Sequence, residues 1–280
     1  NPAVVWLPNS VNLPTYETAE SLTKTSSKPQ KRNSSTDTHP AILCLQQTNR
    51  VGKLEAAGLA GNPDLAHAVH LARRGYVTLA PDYPGFGEST FDFSSRHGYA
   101  SGTMKAIWDN IRAVDLLTTL DSVDPARIGV IGHSLGGHNA IFTAAFEPRI
   151  RVIISNCGFT RFHKDDVPSW TGPRYMPRIR SHFGNNADRL PFDFPEIVGT
   201  FAPRPFLAIA ARGDNDFDYT GAVFRLESSW STNEPRNESA GAFMGADQRH
   251  WDANLDAAVN RAIAEGKTGS QIPTNPHTDG

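Results

Sequence analysis

The sequence predicts an α/β protein: a mostly parallel central sheet with helices on both faces and an insertion over the C-terminal ends of its strands. Three observations carry that expectation. Short apolar runs without polar alternation recur between residues 41 and 210, the mark of strands buried on both faces. Helical stretches separate these runs, and strands alternating with helices build right-handed βαβ units. One strand-to-helix junction carries Gly132-His133-Ser134-Leu135-Gly136, a turn with chemical meaning.

Taken in order, residues 3–7 (AVVWL) read as a short strand. Residues 24–40 are polar and rich in Ser, Thr and Pro, and read as an exposed loop. Residues 1–40 are therefore set apart as an N-terminal extension and loop. Residues 41–46 (AILCLQ) form the first expected buried strand. Residues 64–74 place Leu65, Ala68, Val69 and Leu71 at helical spacing, with Gly75 as the stop. Residues 76–80 (YVTLA) give a second buried strand. Residues 103–120 predict a long amphipathic helix with Met104, Ile107, Trp108, Ile111 and Val114 on one face. Residues 127–131, 150–155 and 206–210 supply three more strands, and residues 135–146 a helix. The interval 158–202, rich in Phe, Trp, Pro and Arg, breaks the rhythm and reads as the insertion. Residues 253–264 carry Leu255, Ala258, Val259 and Ile263 at helical spacing, whereas 266–280 are almost without apolar residues and are expected to be a flexible tail. The main domain is thus set at 41–265.

Composition narrows the function classes. A chain of 280 residues suits one large domain. Lys+Arg 27 against Asp+Glu 29 argues against a nucleic-acid partner. No run approaches the roughly 18 apolar residues of a membrane span, and the start lacks a basic-then-apolar leader. A soluble protein without a membrane partner is expected, cytoplasmic or secreted; compartment and oligomeric state stay open. Cys44, inside a strand, and Cys157, near a strand end, are expected as buried thiols. His67 and His70 share a helical face, but no third ligand accompanies them at metal-binding spacing. Neither a metal nor an organic cofactor is expected.

The junction at Ser134 carries the chemistry. A serine on a tight strand-to-helix turn sits in a strained conformation with its Oγ exposed, and only residues without bulky side chains fit two positions to either side. The following helix N-terminus favours negative charge, and the Leu135 N–H is placed to donate to an oxyanion. His133 is expected to be packed structure, not a second base.

With Ile128–Gly137 reading IGVIGHSLGG, the chain resembles the α/β-hydrolase superfamily. Asp82-Tyr83-Pro84-Gly85-Phe86-Gly87-Glu88-Ser89 is similar to that superfamily's D-x-x-G-x-G-x-S turn, and Gly75-Tyr76-Val77 and Asp124-Pro125-Ala126-Arg127-Ile128-Gly129 match its phrasing. The likeness covers about residues 40–215 and is closest to the dienelactone-hydrolase-like and acetyl-xylan-esterase-like branch. Dienelactone hydrolases proper carry cysteine at the elbow; Ser134 favours the esterase side.

The resemblance implies an α/β-hydrolase fold with a triad in the chain order Ser, Asp or Glu, His. A serine hydroxyl is a weak nucleophile, so an imidazole must take its proton and a carboxylate must orient that ring. The acid is expected in the loop after residues 206–210, where Asp214 matches best in position. Asp216 competes with it, and Asp218 reads as a cap for the next helix. Only His250 and His277 lie beyond that loop. His250 precedes the helical pattern at 253–264, as the superfamily's histidine does; His277 lies in the tail. Arg249 stands where the superfamily habitually has glycine, and residues 226–248 contain no clear strand. The second oxyanion donor is expected from the loop after the first buried strand, at Gln47 or else Thr48. Trp170, Arg174 and Tyr175, with Phe162 and Met176, either line a substrate pocket or hold the insertion onto the sheet.

The expected activity is that of a serine carboxylic ester hydrolase working through an acyl-enzyme. Its partner would be a small-molecule ester with a small acyl group, or a sugar ester or lactone. A serine peptidase of the same fold is one alternative, although the chain leaves little room for a propeller or longer cap. A non-catalytic hydrolase-like binding protein is another, left open by the irregular stretch before His250.

Overall fold

A computed structural model describes residues 3–7, 15–18, 38–93 and 98–222 of the chain. Its described strands are β1 (Ala3–Leu7), β2 (Thr15–Thr18), β3 (His39–Leu45), β4 (Val77–Pro81), β5 (Val123–His133), β6 (Ile150–Asn156) and β7 (Phe206–Ile209). They form one sheet in the order β2-β1-β4-β3-β5-β6-β7. β3 to β7 run parallel, while β1 is antiparallel to both β2 and β4. The sheet is thus mostly parallel, as the alternating pattern predicts. β1 matches the expected short strand, and β2 has no counterpart in the sequence reading. Both come from the stretch set apart as an extension, so the sheet begins before residue 41.

The continuous apolar runs follow from a sheet covered on both faces. Side chains alternate along a strand, so one run serves two cores. In β3, Ala41, Leu43 and Leu45 enter one cluster while Ile42 and Cys44 enter the other. β6 divides too, Ile150 and Ile153 entering the first cluster and Val152 and Ile154 the second, with a register irregularity between Ile150 and Val152. The second cluster is closed by α1 (Lys53–Ala56) and α2 (His67–Ala72). The first is closed by α3 (Gly102–Thr119), α4 (Leu135–Phe146) and the residues that follow β6.

Two helices depart from expectation. The helix predicted over 64–74 is divided: Asn62 accepts from the Asp64 N–H and starts a separate turn, Pro63–Leu65. Ala66, at φ −77° and ψ 44°, breaks the ladder before α2 begins. In α3, the predicted apolar face is not the buried one. Met104 and Trp108 are exposed, and only Val114 of that set is fully buried. The helix instead packs through Thr103, Ala106, Asn110, Ala113, Val114 and Leu117. Its reason is a polar contact that hydropathy cannot see: Asn110 Nδ2 donates to Thr143 Oγ1 of α4 at 2.9 Å. Small residues beside it let the helices approach, and Trp108 stays outside under the Arg112 guanidinium.

The expected insertion forms short helical turns, among them Phe162–Lys164 and Val167–Trp170, followed by α5 (Arg178–Phe183) and α6 (Phe194–Gly199). Its own Phe159, Phe162, Phe194 and Phe201 are buried. It also closes the N-terminus of α3, whose Gly102 and Thr103 N–H groups donate to Pro173 O and Tyr175 O at 3.0 and 3.3 Å. Among the described residues no helix is long and apolar enough to cross a membrane.

Candidate active site

Ser134 joins β5 to α4 at φ 51° and ψ −120°, a conformation that costs a non-glycine residue of order 1–3 kcal/mol. The surroundings hold it there. Its N–H donates to Asn156 O at the end of β6 at 2.9 Å, and its carbonyl accepts from the His138 N–H at 3.0 Å. The flanking glycines are required by contact: a Cβ on Gly132 would lie 2.2 Å from the Gly136 carbonyl carbon, and one on Gly136 would lie 2.1 Å from Leu45 O. This is the elbow that the G-x-S-x-G spacing predicts, and Leu135 opens the helix immediately after it.

The second of those contacts also locates the oxyanion candidates. The carbonyls of Leu45 and Gln46 press on the first turn of α4, so the chain passes the elbow just before Gln47. Beyond it, two buried carboxylates hold the loop. Glu55 accepts from Gln47 Nε2 at 2.9 Å and Asn49 Nδ2 at 2.5 Å. Asp82 accepts from the Lys53 N–H at 2.8 Å, Lys53 Nζ at 2.9 Å and the Glu88 N–H at 3.0 Å. Asp82 opens the turn singled out by the resemblance, and the contact explains two glycines. A Cβ on Gly52 or Gly87 would stand 2.2 Å from its Oδ1. Glu55, Asn49 and Lys53 were not read from the sequence; their bonds join residues at no motif spacing.

The acid loop separates the three aspartates. Asp214 is half-buried, and its Oδ1 accepts from the Asp216 and Phe217 N–H groups at 2.9 and 3.1 Å. The Cys157 thiol hydrogen-bonds to the same carboxylate, and burial, with that carboxylate adding to it, lifts the thiol to about 11. Cys157 directly follows Asn156, the residue that receives the Ser134 N–H, so Ser134 after β5 and Asp214 after β7 stand on either side of the end of β6. Asp216 is exposed and contributes like charge to Asp165. Asp218 accepts from the N–H and Oγ1 of Thr220 at the start of α7 (Tyr219–Ala222), the capping role expected of it. Cys157 and Cys44 are both free and buried.

His250 and His277 lie outside the described residues. His133 is half-buried; burial lowers its pKa, and the charges of Asp214 and Glu55 act against that. The insertion residues divide. Trp170 is buried, stacks on the His138 ring at 4.2 Å between centroids and 10° between planes, and donates from Nε1 to Asp165 at 2.7 Å. It holds the insertion onto α4. Tyr175 OH lies 3.1 Å from Thr48 Oγ1, beside Gln47, so it stands at the loop after β3 that is expected to carry an oxyanion donor. Arg174 is exposed with its guanidinium 4.3 Å over the Phe86 ring. Phe162 is buried and Met176 half-buried. Among the described residues no group of three or more His, Cys, Asp or Glu side chains could hold a metal ion.

A parallel sheet whose central strand enters a helix through a strained, glycine-flanked serine defines the class of α/β folds built around a nucleophile elbow. The chain belongs to the alpha/beta hydrolase family, whose profile matches residues 59–270. It is 30% identical over 161 residues to YtaP of Bacillus subtilis (strain 168), covering 51% of this chain and 48% of that protein. To 4-O-methyl-glucuronoyl methylesterase 1 of Sodiomyces alcalophilus it is 28% identical over 203 residues, 62% of this chain and 40% of that one. The chain thus spans about half the length, or less, of these curated relatives. Among solved structures, a carbohydrate esterase family 15 glucuronoyl esterase from Caldicellulosiruptor kristjansonii shares the fold with a TM-score of 0.59 at 14% identity. That match covers 99% of this chain and 77% of the other.

Proposed function

We propose that the protein is a carboxylic ester hydrolase that works through an acyl-enzyme on Ser134. The observation that carries this reading is the conformation of Ser134, held at positive φ between β5 and the N-terminus of α4. Such strain persists only where the surroundings enforce it, and here two glycines and the Asn156 carbonyl do so. In this reading Ser134 Oγ attacks the ester carbonyl, and the N–H groups of Leu135 and Gln47 receive the charge that develops on the oxygen. Asp214 orients the base, which is His250 by its place in the chain after the acid loop. Water then releases the acyl group by the same path in reverse.

Esters of sugars or sugar acids with a small partner group are the proposed substrate class. The names of the S. alcalophilus and C. kristjansonii relatives support it. Turnover of short p-nitrophenyl esters, followed by a panel of sugar and uronate esters, tests the reading. Ser134→Ala is expected to lower kcat at least about 10³-fold and to abolish labelling by a fluorophosphonate probe. Wild-type turnover that survives in Ser134→Ala would remove the serine mechanism. Absence of both labelling and turnover in the wild type would favour a binding protein.

A further inference from the structure

We propose that Glu55 is a positioning residue for the oxyanion loop, acting on the reaction through the side chains of Gln47 and Asn49. The inference rests on the ester-hydrolase reading of Ser134. Glu55 sits on the single-turn helix α1 and is 4% exposed, and its carboxylate takes its donors from outside that helix. Its Oε2 takes Gln47 Nε2 and Asn49 Nδ2, at 2.9 and 2.5 Å, and its Oε1 takes the Asn62 N–H at 3.1 Å. Burying a carboxylate is costly unless donors surround it. Here the donors come from the loop that leaves β3 at the elbow and from the turn before α2.

Place and chemistry both select this residue. The Leu45 and Gln46 carbonyls rest on Gly136, and the next fixed point along the chain is the Gln47 side chain on Glu55. That anchor belongs to the same residue as the proposed oxyanion donor. Asn49 carries the hold further, since its Oδ1 accepts the Gly52 N–H at 2.7 Å. A carboxylate presents acceptors to all three donors, whereas an amide would set one N–H group against another. Asp82 braces the far end of the loop, at Lys53, and leaves its tip to Glu55. A preorganised dipole lowers a barrier only if it does not move when charge develops, and a misplacement of about 1 Å can cost ~10²-fold.

A double-mutant cycle on the full chain tests this. Glu55→Ala and Gln47→Ala are each expected to lower kcat by roughly 10- to 100-fold with KM within about threefold. Because both cut one tether, the double variant should fall no more than about twofold below the weaker single variant. Hydrogen exchange of peptide 46–52 is expected to speed up in Glu55→Ala while peptide 128–133 stays as in the wild type. A kcat within about twofold of wild type, losses that multiply, or an unchanged 46–52 peptide would each overturn the proposal. If Glu55→Ala does not fold, Gln47→Ala decides alone: unchanged kcat refutes the tether. Lack of Ser134-dependent turnover in the wild type is a different failure. It removes the ester-hydrolase reading and the catalytic part of this proposal together, and the exchange measurement still reports whether Glu55 holds the loop.

Discussion

The two loops that flank Ser134 are held in opposite ways. The loop after β3 is fastened to buried charge: Glu55 and Asp82, 4% and 1% exposed, take donors from residues 47 to 62 and from 53 and 88. The acid loop after β7 is fastened mainly to itself. Asp214 accepts from residues two and three positions on, and Asp218 from the residue two positions on. Its ties to the rest of the molecule include the Cys157 thiol, Thr160 Oγ1 donating to Asp218 O at 2.8 Å, and the Phe217 ring against Trp170. A substitution on the oxyanion side therefore disturbs the core, while one on the acid side can alter chemistry and leave the fold standing.

The largest expected effect tests the acid side. Asp214→Asn should lower kcat on the order of 10⁴-fold, since an asparagine cannot stabilise the imidazolium or fix its tautomer. Its melting temperature should stay near that of the wild type, because an amide oxygen can still accept from the Asp216 and Phe217 N–H groups. Asp216→Asn should change kcat by only a few-fold. Equal losses in the two variants would erase the distinction drawn between them.

On the oxyanion side the expected loss is in stability. Asp82→Ala leaves Lys53, 3% exposed, without the carboxylate that receives its Nζ in the interior. Breaking one partner of a buried pair costs about 3–5 kcal/mol, which chemical denaturation would read directly. The exposed Glu88 also contacts Lys53 Nζ but lies toward solvent, so Glu88→Ala should cost under about 1 kcal/mol. A mild Asp82→Ala phenotype would mean the loop is not fastened as described.

How far each side could be read from sequence follows from the range of its contacts. The elbow was legible because its constraint is local: Gly132 and Gly136 meet one another across four residues, and the strand, serine and helix are contiguous. The parallel sheet was legible because two-sided burial leaves uninterrupted apolar runs. Asp214 was placed by position, and the features that set it apart from Asp216, an Asx-type turn and the Cys157 contact, leave no sequence signal. Glu55 left no mark at all, since Lys53–Ala56 reads as a nondescript amphipathic scrap. The buried face of α3 was misassigned for a related reason. Asn110 reads as a surface residue until Thr143, 33 positions away, receives its amide.

A further expected effect probes a brace that links the insertion to the acid side. Trp170 touches Phe217 on one side and stacks on His138 on the other. His138 is 1% exposed, neither ring nitrogen has a hydrogen-bond partner among the described residues, and burial lowers its pKa to about 3. Between about pH 6.5 and 3 the unfolded chain binds a proton here that the folded chain refuses, so stability falls as pH falls through that window. His67, lowered to about 4 by burial, acts in the same direction. Asp165 acts in the opposite one: burial raises it to about 7, so below that pH the folded state holds a proton that the unfolded state releases until about 4. The wild-type profile mixes these slopes, whereas its difference from His138→Phe isolates one. Relative to that variant, the wild type should lose about 2 kcal/mol between pH 7 and pH 5. Parallel stability curves would show that His138 takes up its proton without disturbing the stack, and that the acid side does not depend on this brace.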